Sequence, residues 1–330
     1  MRKALSILTT LAVLASACQQ QSTTTDNSAD STGASKVAKL NVPVPAFNAD
    51  SAYAYTAKQV GFGPRIPNTP AQQRCADWMI STLKQWADTV YIQRTTVDGP
   101  HKEKLPCINI IASFNPAAKQ RVLLLAHWDT RPWADEDAFD KKAKLDGADD
   151  GASGVGVLME AARQFRTQKP EAGVDILLVD VEDYGVKDNE NSFCLGTQYW
   201  AKNPHIKGYK ANYGILLDMV GGRGSQFYME GSSQQYAYGP MKMFWDVANQ
   251  LGYSDYFRYE KNGSYITDDH IYVNTMANIP TFDIIAWQAS GNFAPHWHTQ
   301  NDNMTVIDTK TLKAVGQTIL QVIYNQPFSY

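Results

Sequence analysis

Residues 293–303 read FAPHWHTQNDN, so His296 and His298 flank Trp297 and Asp302 follows closely. Imidazoles and a carboxylate at that density suit a metal site, but the same letters describe an aromatic strand running into a polar turn. Other places offer matching chemistry. RVLLLAHWD closes on His127 and Asp129, and VDILLVDVED closes on Glu182 and Asp183. YGILLDMVG carries Asp218, and GADDGASGVG places Asp149 and Asp150 in a glycine-rich turn. Singly, each has a bland reading. A strand-end aspartate caps or turns more often than it ligates, Ser153 reads as the N-cap of the helix that follows, and the glycines lack the spacing of a nucleotide loop. Gathered on one rim, these carboxylates and imidazoles suit zinc, which takes histidine nitrogen and carboxylate oxygen and keeps a position open in catalytic sites. The adjacent pair Glu182 and Asp183 adds chemistry that a cap does not need. Side chains of neighbouring residues at a strand end point in different directions, so one can hold a cation while the other stays free as a general acid or base.

The elements that position these residues are legible as alternating patterns. RVLLLAHWD, VDILLVDVED, YGILLDMVG and IPTFDIIAW are short apolar runs ending in polar residues, the mark of buried strands. Between them, AQQRCADWMISTLKQW, SGVGVLMEAARQF, YGPMKMFWDVANQL and the terminal TLKAVGQTILQVIYN repeat apolar residues at helical spacing. Strands alternating with helices predict an α/β fold: one domain whose central mixed, mostly parallel sheet is covered by helices on both faces. Ligands in such sheets collect at the carboxyl ends of the strands, where the acidic residues here fall.

The chain has 330 residues, 44% hydrophobic and 11% aromatic, enough for a sizeable core. Its 30 basic and 33 acidic residues give a net charge of −3 with no long Lys/Arg run, which excludes nucleic-acid binding as the main task. Arg2 and Lys3 precede an apolar stretch, residues 4–17, that falls short of the ~20 residues a membrane span needs. It ends in LASAC and resembles a bacterial lipoprotein signal, residues 1–18, that ends at Cys18 as the lipidated first residue of the mature chain; simple cleavage near Ala17 is the alternative. The expected localisation is that of an exported lipoprotein, periplasmic or envelope-anchored, whose membrane contact is that lipid alone. Residues 19–46 read as a disordered Ser/Thr/Gln-rich tether, and residues 47–330 as the catalytic domain. Cys75, Cys107 and Cys194 form no metal pattern, leaving one disulfide with a spare thiol or none.

The motifs AHWDT, GADDGASGVGVLMEAAR, VEDYG, CLGTQYW, LLDMVG, TDDH and HWHT, in that order, resemble the zinc-dependent aminopeptidase clan. Within it the chain is most similar to the glutaminyl-peptide cyclotransferases, the bacterial relatives of the animal-type enzyme above all, over residues 51–330. The resemblance implies one Zn2+ held by Asp150, Asp183 and His298, with Asp150 taken over Asp149 from its offset to Ser153. It implies Glu182 as catalytic acid and base, Asp218 and Asp268 as a supporting acidic pair, and Trp297 with Phe293 as pocket walls. Its implied substrates are peptides or proteins with an N-terminal glutamine. Two departures stand out. The animal enzymes carry Glu at the position of Asp183, and YGVKDNENSF lacks the tryptophan that the family places beyond the catalytic pair.

The alternative within the clan is a two-zinc aminopeptidase, for which His127 and Asp218 are the candidate ligands of a second ion. A peptidase activates a water against a peptide carbonyl. A cyclase folds the substrate's own α-amine onto its γ-amide and expels ammonia, so proximity supplies much of the rate. The WHT and TDDH forms favour the cyclase. A binding lipoprotein with a decayed site is a third class, against which the retained Glu182 argues. His101, His205, His270 and His296 read as non-ligands, and Trp133 with the acidic ADEDAFD reads as a surface loop near the rim.

Overall fold

The structure is a computed structural model that describes residues 40, 42–261, 264–325 and 328. The signal-peptide reading and the tether up to residue 39 lie outside the described residues. Two helices open the fold, α1 (Ala49–Val60) and α2 (Pro70–Leu83). Asn48 and Thr69 cap them by accepting from the amides of Ser51 and Gln72. Strands β1 (Thr89–Asp98), β2 (Lys104–Phe114) and β3 (Arg121–His127) follow, then α3 (Ala152–Thr167) and β4 (Gly173–Val179). The remainder is α4 (Leu195–Lys202), β5 (Tyr213–Asp218), β6 (Phe227–Met229), α5 (Gly231–Gln250), β7 (Phe257–Lys261), α6 (Asp269–Tyr272), β8 (Thr281–Ile285) and α7 (Thr309–Tyr324).

The main sheet has the order β1-β2-β4-β3-β5-β8. Strands β4, β3, β5 and β8 run parallel, and β2 and β1 extend the sheet by antiparallel pairing. The fold class is therefore the α/β fold expected, a mixed sheet with a parallel heart. Both faces are apolar because both are covered. Val122, Leu124 and Ala126 of β3 join the larger core with Phe165 of α3 and Ile319 of α7. Leu123 and Leu125 turn to the other face, against Trp200 of α4 and Val273. That is why these strands are continuous apolar runs rather than alternating ones.

The tether reading needs a correction at its end. The carbonyls of Pro43, Pro45 and Ala46 accept hydrogen bonds from Gln168, Gln317 and Gln164, and Val44 packs on the core. The ordered domain therefore begins ahead of residue 47, docked on α3 and α7. Ser153 is also not an N-cap. Helix α3 starts at Ala152 after Gly151, and Ser153 Oγ instead donates to the Asp149 carbonyl and accepts from Val220 N. Cys75, Cys107 and Cys194 are all buried and free.

Candidate active site

The parallel block ends on one side of the sheet, and the reactive side chains stand there. His127 is the last residue of β3 and Asp218 the last of β5. Beyond β4 the chain makes a tight kink at Val181, a β-branched residue held at φ +56. Neighbours over-determine that strained conformation. Asp180 accepts from Ile108 N and Gln72 Nε2, and Asp129 accepts from the amides of both Glu182 and Asp183. Asp129 therefore sets the direction in which those two carboxylates leave the strand. The glycine-rich turn is held in the same manner. Asp302 accepts from the amides of Asp149 and Asp150, and a Cβ on Gly151 would lie 2.5 Å from the His127 ring.

Asp150, Asp183 and His298 come together. His298 Nε2 lies 3.3 Å from Asp183 Oδ2 and 3.6 Å from Asp150 Oδ2. Ligands about 2.0–2.2 Å from a tetrahedral zinc stand roughly 3.4 Å apart, so the trio has the spacing of a metal site. Asp183 Oδ2 is buried without a hydrogen-bond partner, while Asp183 Oδ1 accepts from Arg131 Nη1 at 3.2 Å. One oxygen is thus engaged and the other waits, and the shorter aspartate arm reaches its place. Asp149 is not available, since its oxygens take His296 Nε2 and Gly221 N, both at 2.8 Å. His296 serves as that residue's partner.

A second trio shares Asp150. His127 Nε2 is 3.0 Å from Asp150 Oδ1 and 3.2 Å from Asp218 Oδ1. Electrostatics mark both trios as acid-rich. Burial alone would lower the His298 pKa, yet Asp183, Asp135 and Asp150 carry it up to about 9. His127 is likewise buried, and Asp129, Asp150 and Asp218 hold its pKa well above the ordinary imidazole value. Burial first, and Asp183 next, push Glu182 well above the usual carboxylate range; burial carries Asp218 to about 6. Carboxylates this crowded and this dry call for a cation.

Glu182 stands beside the trios without joining them. Its Oε1 accepts from Cys194 Sγ at 3.3 Å, and its Oε2 lies 3.9 Å from His127 Nδ1. It lines a cavity of about 160 Å³ with Asp218, Asp268, Phe293 and Trp297. Phe293 packs tilted against Trp297 at 4.5 Å between ring centroids, and Trp297 stacks on His298 at 3.8 Å. Phe193, the last residue of YGVKDNENSF, also lines the cavity, in the segment where no tryptophan is present.

Two contributors carried no sequence signal. Asp135 Oδ1 lies 3.1 Å from His298 Nδ1, and both of its oxygens accept from Arg131, at 2.9 and 2.8 Å. The surface-loop reading of ADEDAFD holds for Glu136, Ala138, Phe139 and Asp140, which are exposed, and is corrected for the rest: Ala134 and Asp137 are buried, as is Arg131 ahead of them, and Asp135 faces the site. Away from the site, His205 Nδ1 accepts from Trp200 Nε1, and His101 is exposed.

Comparison with known proteins identifies the family. The model of peptidase family M28 matches residues 109–323. The chain is similar to a crystal structure of Bacteroides thetaiotaomicron glutaminyl cyclase bound to N-acetylhistamine, at 48% identity and a TM-score of 0.84, over 86% of this chain and 100% of that one. It is equally similar to a structure described as a Zn-dependent exopeptidase from Parabacteroides distasonis, at 51% identity and TM-score 0.84, with the same coverage. The glutaminyl-peptide cyclotransferase of Drosophila melanogaster is 25% identical over 274 residues, 75% of this chain and 73% of that protein. This chain belongs to peptidase family M28, in the company of the bacterial glutaminyl cyclases.

Proposed function

We propose that the protein is a zinc-dependent glutaminyl-peptide cyclotransferase, converting N-terminal glutamine to pyroglutamate with release of ammonia. The observation that carries this reading is a free carboxylate, Glu182, beside a three-ligand cluster in a small aromatic-walled cavity that also holds a second buried acid. Asp150, Asp183 and His298 would hold a zinc ion, and the chemistry it would supply there is polarisation of the substrate's γ-carboxamide. Glu182 takes the proton from the α-amine and returns it to the departing nitrogen, work suited to a carboxyl whose pKa burial has raised. Asp268, supported by Asp218, holds the departing nitrogen. Phe193, Phe293 and Trp297 keep the folded-back side chain together and water out.

The trio His127, Asp150 and Asp218 supports a second reading, a two-zinc aminopeptidase. One experiment separates the two. A glutamine-initiated peptide is incubated with the purified protein, and the product is weighed while zinc per chain is counted. Loss of ammonia with one zinc supports the cyclase; loss of the first residue with two zincs supports the peptidase. We propose also that the chain is exported and lipidated at Cys18, which the mass of the mature N-terminus from an expressing bacterium tests.

A further inference from the structure

The loop that carries Asp183 leaves the sheet at Glu182 and returns at Cys194, and its two ends are tied to each other. Cys194 N donates to the Glu182 carbonyl at 2.8 Å, and Leu195 N donates to the Val181 carbonyl at 2.9 Å. The Cys194 thiol crosses the same gap, with Sγ 3.3 Å from Glu182 Oε1. The other carboxylate oxygen, Oε2, faces His127 Nδ1 at 3.9 Å, beyond hydrogen-bonding reach. The thiol is therefore what fixes the rotation of the Glu182 carboxylate. Lys187, Glu190 and Phe193, inside the closed loop, line the cavity beside it.

Backbone geometry says that the side chain at this position matters. Cys194 stands in the left-handed region, at φ +55 and ψ 32, where α4 begins. Glycine takes that conformation at no steric cost, and a residue with a side chain does so uncommonly. Strained residues of this kind persist where their surroundings hold them, and they cluster at functional sites. Sulfur also suits the task. A thiol tolerates burial and is a weak donor. Burial first, then Asp269 and Glu182, push the Cys194 pKa well above the ordinary thiol value, so the group keeps its proton and donates. The acids of α6 are rival acceptors. One atom each of Glu182, Cys194 and Asp268 lies within 4.8 Å of the others, and Asp269 also stands beside the thiol.

We propose that Cys194 is a positioning residue for the cyclisation: its thiol, held where the loop closes, donates to Glu182 Oε1 and fixes that carboxylate so that Oε2 carries the proton. The proposal rests on the cyclase reading, in which Glu182 moves a proton from the α-amine to the departing nitrogen. The thiol keeps its own proton throughout and holds the carboxylate's orientation through both transfers. Three substitutions separate the hydrogen bond from packing and backbone. Cys194→Ser keeps a donor, Cys194→Ala removes it, and Cys194→Gly removes it with the residue that the left-handed backbone favours.

The test measures kcat and KM for a glutamine-initiated peptide, with zinc content and urea midpoint recorded for each protein. Cys194→Ala and Cys194→Gly should lower kcat about tenfold, leaving KM within about twofold and zinc at the wild-type level. Cys194→Ser should stay within about threefold of the wild-type kcat. In a Glu182→Gln background, Cys194→Ala should cost less than about twofold more, because the thiol acts through that carboxylate. Should Cys194→Ala fail to fold, the Gly and Ser variants carry the test. Three results would overturn the proposal: kcat near wild type in Ala or Gly, a Ser variant as slow as Ala, or a full further loss in the Glu182→Gln background. The last would show that the thiol works through α6 or through packing. A wild-type protein that fails to cyclise would overturn the underlying reading instead, so the two failures are distinguishable.

Discussion

Asp135 offers a sharp test of the metal site because it touches no proposed ligand atom that would face the ion. It sits behind His298, 3.1 Å from Nδ1, and is itself held by two hydrogen bonds from Arg131. A carboxylate behind a ligating imidazole fixes the ring's orientation and raises its basicity, and losing it costs about 10–100-fold in metal affinity. At about 1.4 kcal/mol per tenfold, that is about 1.4–2.8 kcal/mol. Arg131 stays in place without Asp135, because its Nη1 also donates to the carbonyls of Asp183 and Gly185. Asp135→Ala should therefore weaken zinc within that range without loosening the fold. Asp135→Asn keeps an acceptor for one of these donors and should lose less. The assay is competition for zinc against a chelator of known affinity, at a temperature well below unfolding. Asp140→Asn, an exposed change in the same loop, serves as control. If Asp135→Ala binds zinc within about twofold of the control, the carboxylate does not orient the ligand and the reasoning fails.

Glu182→Gln should lower turnover by about 10²–10⁴-fold while zinc content stays at the wild-type level, measured by steady-state kinetics and metal analysis. Activity near wild type would remove the assigned proton carrier. Gly196→Ala should destabilise the protein by about 1–3 kcal/mol, read as a lower urea midpoint, because its Cβ would sit 2.0 Å from the Asp180 carbonyl oxygen. Asp88 gives the pH test. Its hydrogen bond from Lys169 Nζ, 2.9 Å away, and its acceptance from Asn115 N depress its pKa, so the stability it adds is present above the ordinary carboxylate range and fades as pH falls through the folded value. Asp88→Asn should cost about 0–1 kcal/mol at neutral pH, as exposed pairs do. Urea midpoints of variant and wild type should converge in acid; a difference that persists there would contradict the assignment.

How much of this was legible follows from where each residue sits. Runs such as RVLLLAH announce strands because both faces of the sheet are covered, and a run's polar end marks the rim. Strand β1 gives no such signal. It lies at the sheet edge with alternating exposure and carries Gln93, Arg94 and Thr95 in mid-strand. Arg131 and Asp135 sit in a loop without periodicity, so only the folded chain reveals that they converge on Asp183 and His298. His270 read only as a non-ligand, because the acids that enclose it come from residues 230 and 283.

Strand order explains why the candidates meet at all. In sequence β3 precedes β4 and β5, but in space it lies between them. Adjacent strands stand ~4.8 Å apart, so side chains at the ends of neighbouring parallel strands are within reach of a shared ion. His127, on the central strand, therefore has Glu182 on the β4 side at 3.9 Å and Asp218 on the β5 side at 3.2 Å. Had β3 lain outside β4, His127 could not touch Asp218, and Asp150 would have no second trio to share. The second trio thus exists because of a strand order that no local motif encodes, and the zinc count per chain measures whether that trio is filled.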